Sequence, residues 1–237
     1  MIAVEQIMGM PIVVESSDAS EETVARVFDW FRWVDETFST YKDESEVSRI
    51  ARGELAVEDA HPHVREVLER CEELRGETDG YFDAQASGEL DPSGLVKGWS
   101  VDPASEILED AGAHDFAVNV AGDMRVRGRA WRVGIEHPLD RKAVAAVVES
   151  DDLAIATSGA CLRGNHVLNP HTRRSPEGVL SVTVTGPDLA TADAYATAAF
   201  AMGKRGPHWT ARLRGYEAMT ILSDHTVLTT PKFPAAA

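Results

Sequence analysis

The chain of 237 residues is poor in cysteine, in aromatic residues and in positive charge. Its two cysteines, Cys71 and Cys161, belong to no C-x-x-C or Cys/His pattern, so we expect two reduced core thiols and no zinc site. Lysine and arginine total 23 against 39 aspartate and glutamate residues, a formal net charge of −16. Nucleic-acid binding needs a basic surface, and anionic membranes repel an acidic one, so this charge argues against both partners.

Long hydrophobic segments and the common nucleotide-binding loops are also absent. No window approaches the about 18 apolar residues of a membrane-spanning helix, and no G-x-G-x-x-G or G-x-x-x-x-G-K-[ST] occurs. The first residues, MIAVEQIMGM, contain Glu5 and no basic cluster, which is unlike a signal peptide. These features favour a cytoplasmic protein without membrane insertion, unless a leader precedes this chain.

Helical patterns come first along the chain and strand patterns follow. Apolar spacing predicts a helix through 24–38, a second over about 63–74 and a third over about 97–112. Short β-branched runs predict strands at MPIVVE, FAVNV, DMRVRG, WRVGIE, AVAAVVES, DLAIATS and VLSVTVTG, with a late hairpin around AMTILSDHTVLTT. This order predicts one α+β domain over 1–233, with a mixed or antiparallel sheet and packed helices, and a disordered tail at 234–237.

The segment LATADAYATAAFAMG, residues 189–203, is a predicted helix built largely from alanine. Asp193 and Thr197 are spaced i, i+4 in it and therefore share one face. Such a face offers a carboxylate and a hydroxyl, and its small neighbours let a bulky ligand approach the backbone. The alternative is structural, because alanine is the best helix former and an early aspartate favours the positive end of the helix dipole.

Four other residues are candidates, each with a structural alternative. Tyr41, just beyond a helix, can stack on a flat ligand or simply pack. Asp91 is the first residue of DPSG, which fits a type I turn, and this turn is enough to explain an aspartate at position 91. Lys97, beside Gly98 at a predicted helix start, suits phosphate binding or is a solvated lysine. His166 lies in a predicted loop and is either a group that titrates near neutral pH or a surface residue.

Two further segments are assigned no chemistry. Ala121-Gly122-Asp123 lies between two predicted strands, and a hairpin turn explains it. Ser158 lacks the G-x-S-x-G elbow, so we reject it as a hydrolase nucleophile.

Nine segments follow one another between Met8 and Gly203: MGM, FSTYKDESEVSR, TDGYFDA, LDPSGLVKGWSVD, VNVAGDM, WRVGIEHP, ATSGA, HVLNPHT and SVTVTGPDLATADAYATAAFAMG. In this order they resemble the ApbE family, the FAD:protein FMN transferases. The resemblance implies a T-fold-like domain with FAD extended in a cleft and Mg²⁺ at its pyrophosphate. It also implies transfer of FMN to a serine or threonine of a partner flavoprotein with release of AMP, although some members hydrolyse FAD to FMN and AMP.

The same resemblance implies roles for individual residues. Asp193, Thr197 and the backbone carbonyl of Gly94 are the implied Mg²⁺ ligands, and hard oxygen donors are what this ion prefers. Lys97 and the metal ion would neutralise charge on the pyrophosphate, which an acidic protein otherwise repels. His166 is the candidate base for the acceptor hydroxyl. The implied FAD contacts are Met8, Tyr41, Tyr81, Phe82, Asp83, Asp91, Lys97 and Leu168.

The chain also departs from the family pattern. It has DPSGLVKG for DLGGIAKG, AGD for GGD and HVLNPHTR for HIIDPRTG, so Asn169 and Arg173 replace an aspartate and a glycine. Ala196 stands where some members have a further acidic ligand. Three hypotheses follow: Mg²⁺-dependent FMN transfer to a protein hydroxyl, an FAD pyrophosphatase, and a non-catalytic FAD-binding protein.

Overall fold

The strands form a single sheet in which each strand pairs with the next one along the chain. The computed structural model describes residues 1–159 and 167–236. In these residues the strands are β1 Ile2–Ile7, β2 Met10–Ser16, β3 Phe116–Val120, β4 Asp123–His137, β5 Asp140–Gly159, β6 Val179–Gly186, β7 Glu217–Leu222 and β8 Val227–Thr229. All of their pairings are antiparallel, in the order β1 to β8. The predicted α+β class is confirmed, and the described sheet is antiparallel rather than mixed.

The helices gather on one face of this sheet. Within the described residues they are α1 Glu21–Phe38, α2 Glu46–Ala51, α3 Pro62–Glu77, α4 Ser93–Trp99, α5 Val101–Asp110, α6 Leu189–Ala201 and α7 Gly206–Thr210. Apolar residues of α1, α5 and α6 share a core with β2, β3 and β6. A second core, which contains no strand residue, joins α1, α3, α4 and α6. The helix α6 therefore lies between the sheet and the outer helices.

This central position explains the composition of α6. Ala192, Ala196 and Ala199 pack in the sheet-side core, and Ala194 and Ala198 pack in the helical core. A helix that is apolar all round is a buried helix, and alanine lets neighbouring backbones come close. The alanines are covered by the protein's own elements, so the prediction that they leave room for a ligand is wrong for these five positions.

The predicted third helix over 97–112 is two helices, α4 and α5, that meet at Ser100. Pro103 explains the break, because it has no N–H to donate to the carbonyl of Trp99, its i−4 partner. Lys97 consequently lies inside α4, so the prediction that it stands at a helix start is wrong.

Other element boundaries also differ from the sequence prediction. The edge strand β1 was missed, as was α2, a short helix in which Ser45 caps the backbone N–H of Ser48. Four predicted strands are joined in pairs into the long strands β4 and β5. Gly128 lies in β4 at positive φ of 104°, within a register shift between Arg127 and Trp131. The break predicted between DMRVRG and WRVGIE is therefore an irregularity within one strand.

The last residues of the chain lie against β5. The N–H of Glu149 donates to the carbonyl of Pro234, and the N–H of Ala236 donates to the carbonyl of Val147. Residues 234–236, expected to be disordered, thus have defined backbone partners, and 237 lies outside the described residues.

Cys71 has a free, buried thiol, and burial raises the pKa of this thiol to about 12. Cys161 lies outside the described residues. No helix in the described ranges has the length and hydropathy needed to cross a membrane.

Asp102 gives the fold a pH-dependent contribution to stability. Its carboxylate in α5 accepts the N–H groups of Leu189 and Ala190 at the start of α6, at 3.2 and 3.4 Å. Burial raises its pKa from 3.8 to about 6, against the lowering effect of those two bonds. A raised pKa means that the folded state favours the protonated carboxyl. The stabilisation of the folded state by protonated Asp102 is therefore complete below pH 3.8 and is lost as pH rises through about 6.

We expect Asp102→Asn to remove this dependence, because the amide keeps an acceptor oxygen and cannot ionise. Between pH 4 and 7, the unfolding free energy of the wild type should fall by about 2 kcal/mol more than that of the variant. Urea unfolding of both proteins across this range measures the difference. Parallel pH profiles would show that Asp102 has an ordinary pKa.

Candidate active site

A cleft of about 1530 Å³ opens between the β1–β2 turn, the loop after α1, the helices α4 and α6, and the ends of β4 and β5. Typical small-molecule pockets measure about 300–1000 Å³, so this cleft has room for a larger, extended ligand. Every predicted site residue in the described part of the chain lines it: Met8, Tyr41, Tyr81, Phe82, Asp83, Asp91, Gly94, Lys97, Leu168, Asp193 and Thr197. His166 lies outside the described residues.

The base of the cleft holds one ammonium group between two buried carboxylates. Lys97 Nζ forms an ion pair with Asp123 and lies 3.6 Å from Asp193 Oδ1. Asp123 is 1% exposed and Asp193 is 2% exposed. Burial raises the pKa of Asp193, the Lys97 ammonium lowers it, and the Asp123 carboxylate raises it. Two acids and one base give this group an excess of negative charge whenever both carboxylates are ionised.

The absence of a side chain at Gly98 brings α4 close to α6. A Cβ at this position would lie 2.6 Å from the carbonyl oxygen of Leu189 and 2.9 Å from Asp193 Cβ. Any larger residue would push the two helices apart, and with them Lys97 and Asp193.

Asp193 and Thr197 have the donor atoms that a hard cation requires. Both line the cleft one turn apart on α6, and Thr197 Oγ1 lies 3.1 Å from Ser158 Oγ. Asp193 Oδ2 is buried without a hydrogen-bond partner in the part of the chain that the structure describes. An unsatisfied buried carboxylate oxygen is costly unless a proton or a cation binds it. Oxygen donors of this kind fit Mg²⁺, which binds few protein ligands and keeps several waters.

The described residues contain no cluster of several metal-binding side chains. In the described ranges, no group of three or more His, Cys, Asp or Glu side chains is arranged to hold a metal ion. One carboxylate with neutral oxygens beside it is therefore the donor set that the described residues could offer a cation.

Tyr41 and Met8 lie on the walls of the cleft in unusual situations. Tyr41 follows α1 and its side chain is 97% exposed, so its ring is open to contact with a ligand. Met8 occupies the β1–β2 turn at positive φ of 55°, where asparagine or glycine is usual. The left-handed conformation costs a non-glycine residue about 1–2 kcal/mol. A strained residue whose side chain lines a cleft is a candidate for a functional constraint.

The opposite wall is held by contacts around Tyr81. Its hydroxyl accepts a hydrogen bond from Arg205 Nη1 at 3.1 Å, and its ring makes an edge-to-face contact with His171 at a centroid distance of 4.6 Å. The ring of His171 also lies 3.0 Å, through Nε2, from the carbonyl oxygen of Asp79. These contacts join the segment around Leu168 to the loop before Phe82.

The other predicted acidic contacts have local partners. Asp83 Oδ1 accepts the N–H of Gln85 at 2.8 Å, and Asp91 Oδ1 accepts the N–H of Ser93 at 3.0 Å. Asp91 thus has the structural role that the DPSG turn motif predicted as the alternative to ligand binding: its carboxylate accepts a backbone N–H in the turn that leads into α4.

Two residues of this site, Asp123 and Ser158, were not predicted from the sequence. Asp123 was explained as part of a hairpin turn, and a turn indeed precedes it, with Ala121 and Gly122 at φ of 51° and 104°. The available signal was an aspartate that starts a strand among apolar neighbours, where a buried charge needs a partner. Ser158 is not part of a nucleophile elbow. Its hydroxyl lies within hydrogen-bond distance of the Thr197 hydroxyl.

Comparisons with known proteins agree on one family. The sequence model of the ApbE family matches residues 8–87 and 84–220. The FAD:protein FMN transferase of Vibrio cholerae is 35% identical over 130 residues, and that of Rhodobacter capsulatus is 32% identical over 160 residues. These matches cover 48% and 62% of this chain, but only 39% and 31% of the two relatives. The chain therefore matches less than half of the length of these relatives.

Solved structures share the fold over nearly the whole chain. The flavin transferase ApbE from Vibrio cholerae superposes with a TM-score of 0.86 at 22% identity, covering 98% of this chain and 97% of that one. The Pseudomonas stutzeri flavinyl transferase ApbE, in its apo form, gives 0.85 at 21% identity, covering 100% and 97%. At such identities the likeness shows a common fold.

Proposed function

Because this chain belongs to the ApbE family, we propose that it transfers the FMN moiety of FAD to a serine or threonine hydroxyl of a partner flavoprotein, releasing AMP. The observation that carries this proposal is Lys97 between Asp123 and Asp193 at the base of the large cleft. An ammonium beside a cation site gives a pyrophosphate a local positive partner in a chain whose net charge is −16. The T-fold-like assignment of the domain belongs to the same proposal.

The walls of the cleft supply contacts for FAD. Tyr41 stacks on the isoalloxazine ring, and the strained Met8 contacts the ligand from the β1–β2 turn. The other contacts follow the family resemblance and the lining of the cleft: Tyr81, Phe82, Asp83, Asp91, Lys97 and Leu168.

The metal ion would be held by Asp193, Thr197 and the carbonyl of Gly94. Bound there, Mg²⁺ supplies stabilisation of the negative charge that develops on the pyrophosphate. The Lys97 ammonium stabilises the same charge, which is the main catalytic demand of phosphoryl-type transfer. His166 accepts the proton of the acceptor hydroxyl. The hydroxyl oxygen forms a bond to the FMN phosphorus, the pyrophosphate P–O bond breaks, and AMP leaves with the bridging oxygen.

Incubation of the protein with FAD and Mg²⁺, with and without a protein extract of its host, tests this function. The expected result is AMP release that depends on the extract, with a fluorescent flavin band that survives denaturing electrophoresis. Mass spectrometry of that band should locate FMN on a serine or threonine. AMP release without extract would identify a pyrophosphatase, and recovery of intact bound FAD would identify a binding protein.

Replacement of Tyr41 tests the flavin contact. We expect Tyr41→Ala to weaken FAD binding by about 1–3 kcal/mol, by analogy with the stacking of bases on aromatic side chains. Tyr41→Phe is the matched control, because it keeps the ring and should bind FAD normally. Calorimetric titration measures both, and unchanged affinity in the alanine variant would remove Tyr41 from the site. The exposure of this side chain means that neither variant should lose stability.

A further inference from the structure

Asp123 is fixed in its orientation by the backbone of the sheet. It is the first residue of β4 and is 1% exposed. Its Oδ1 atom accepts the N–H of Thr157 in β5 at 3.0 Å. The carboxylate is therefore held on one side by main chain that does not depend on Lys97, and its other oxygen is directed at the ammonium.

Lys97 is held closer to Asp123 than to Asp193. Its Nζ atom is in direct contact with Asp123 Oδ2 and forms a longer ion pair, at 3.6 Å, with Asp193 Oδ1. The second oxygen of Asp193 has no hydrogen-bond partner among the described residues. If Asp123 carried no charge, Asp193 would be the remaining carboxylate of this group, and the ammonium would be attracted towards it.

We propose that Asp123 is a positioning residue for Lys97: it holds the ammonium nearer to itself than to Asp193, so that Asp193 keeps its second oxygen for a divalent cation. In this arrangement Lys97 and the cation act side by side on an anionic ligand instead of competing for one carboxylate. Direct hydrogen-bond partners of metal ligands commonly contribute about 10–100-fold to metal affinity, and we take the same range for Asp123, which acts on Asp193 through Lys97. The part of this inference that concerns FAD rests on the proposed function.

A simpler effect of charge predicts a different pattern. As a mere negative charge, Asp123 attracts a metal cation and repels the FAD pyrophosphate, whatever Lys97 does. Its removal would then weaken metal binding to the same degree with or without Lys97, and it would tighten FAD binding. Positioning predicts that the effect on the metal depends on Lys97 and that FAD binding weakens.

The test is a titration of the metal-free protein with Mn²⁺ alone, followed by the paramagnetic signal of the free ion. Asp123→Asn keeps an acceptor for Thr157 and removes the charge. We expect it to bind Mn²⁺ about 10–100-fold more weakly, and to lose far less affinity when it is introduced into a Lys97→Met background. Equal losses in the two backgrounds, or no loss in either, would overturn the proposal. Asp152→Asn is the matched control, because it breaks the ion pair with Arg125 outside the cleft and should bind Mn²⁺ normally.

A second titration, with FAD in the presence of EDTA, keeps the inference testable if the Lys97→Met proteins do not fold. Asp123→Asn should bind FAD more weakly than the wild type does. Unchanged or tighter binding would overturn the positioning role. If the wild type binds no FAD when Mg²⁺ is present either, the proposed function fails, while the Mn²⁺ titrations still decide the role of Asp123. Thermal unfolding of each variant identifies any that is not folded.

Discussion

Asp193→Ala is expected to abolish Mg²⁺-dependent release of AMP from FAD while the protein remains folded. The carboxylate is the one charged ligand in the proposed metal site, and the alanine that replaces it offers the cation no donor. The fold should tolerate the change, because Lys97 keeps its ion pair with Asp123. Burial raises the pKa of Asp193, so ionisation of this group at neutral pH opposes folding, and its removal should leave stability unchanged or increased.

Thr197→Val is the graded comparison for this variant. A hydroxyl contributes a dipole where the carboxylate contributes a full charge, so valine should reduce turnover without abolishing it. AMP release is measured at limiting and at saturating Mg²⁺, together with the thermal unfolding of each protein. Wild-type release by Asp193→Ala at limiting Mg²⁺ would reject the metal assignment.

The sequence predicted elements whose signal is local. A helix through the alanine-rich segment follows from its composition, and it places Asp193 and Thr197 on one face in the structure as in the prediction. The α+β class follows in the same way from the change of periodicity along the chain. The breaks were harder to predict, because Pro103 divides a continuous apolar pattern, whereas Gly128 marks no end of β4. Whether such a residue ends an element depends on the partner strand or helix, which local sequence does not contain.

The site shows the same division between local and tertiary information. The ion-paired residues Lys97, Asp123 and Asp193 lie in α4, β4 and α6, respectively. Their spacing in the sequence does not predict that they are in contact. Asp123 in particular had a sufficient local explanation as a turn residue. The family resemblance, not a local pattern, selected Met8, Tyr81, Phe82, Asp83, Gly94 and Leu168. The structure brings all of the described candidates to one cleft. Their individual roles stay predictions that the variants address.

His166→Ala is expected to slow FMN transfer by about 10²–10⁴-fold with little change in FAD affinity. His166 lies outside the described residues, but it is covalently joined to Val167, which lines the cleft, as does Gly159 on the other side of the segment 160–166. An imidazole can accept a proton near neutral pH, and a base for the acceptor hydroxyl acts after FAD has bound. Its loss should therefore affect the chemical step and leave the binding step intact.

Single-turnover transfer at saturating FAD, together with a direct FAD titration, separates this role from a binding role. If His166 only contacts the pyrophosphate, affinity and turnover should fall together, and saturation with FAD should restore the rate. His171→Ala is the control, because this histidine belongs to the same stretch of chain and packs on Tyr81. Its loss should weaken FAD binding and leave the saturated rate near that of the wild type. A His166 variant that behaves in the same way is not missing a base, and the acceptor protein would then have to supply its own.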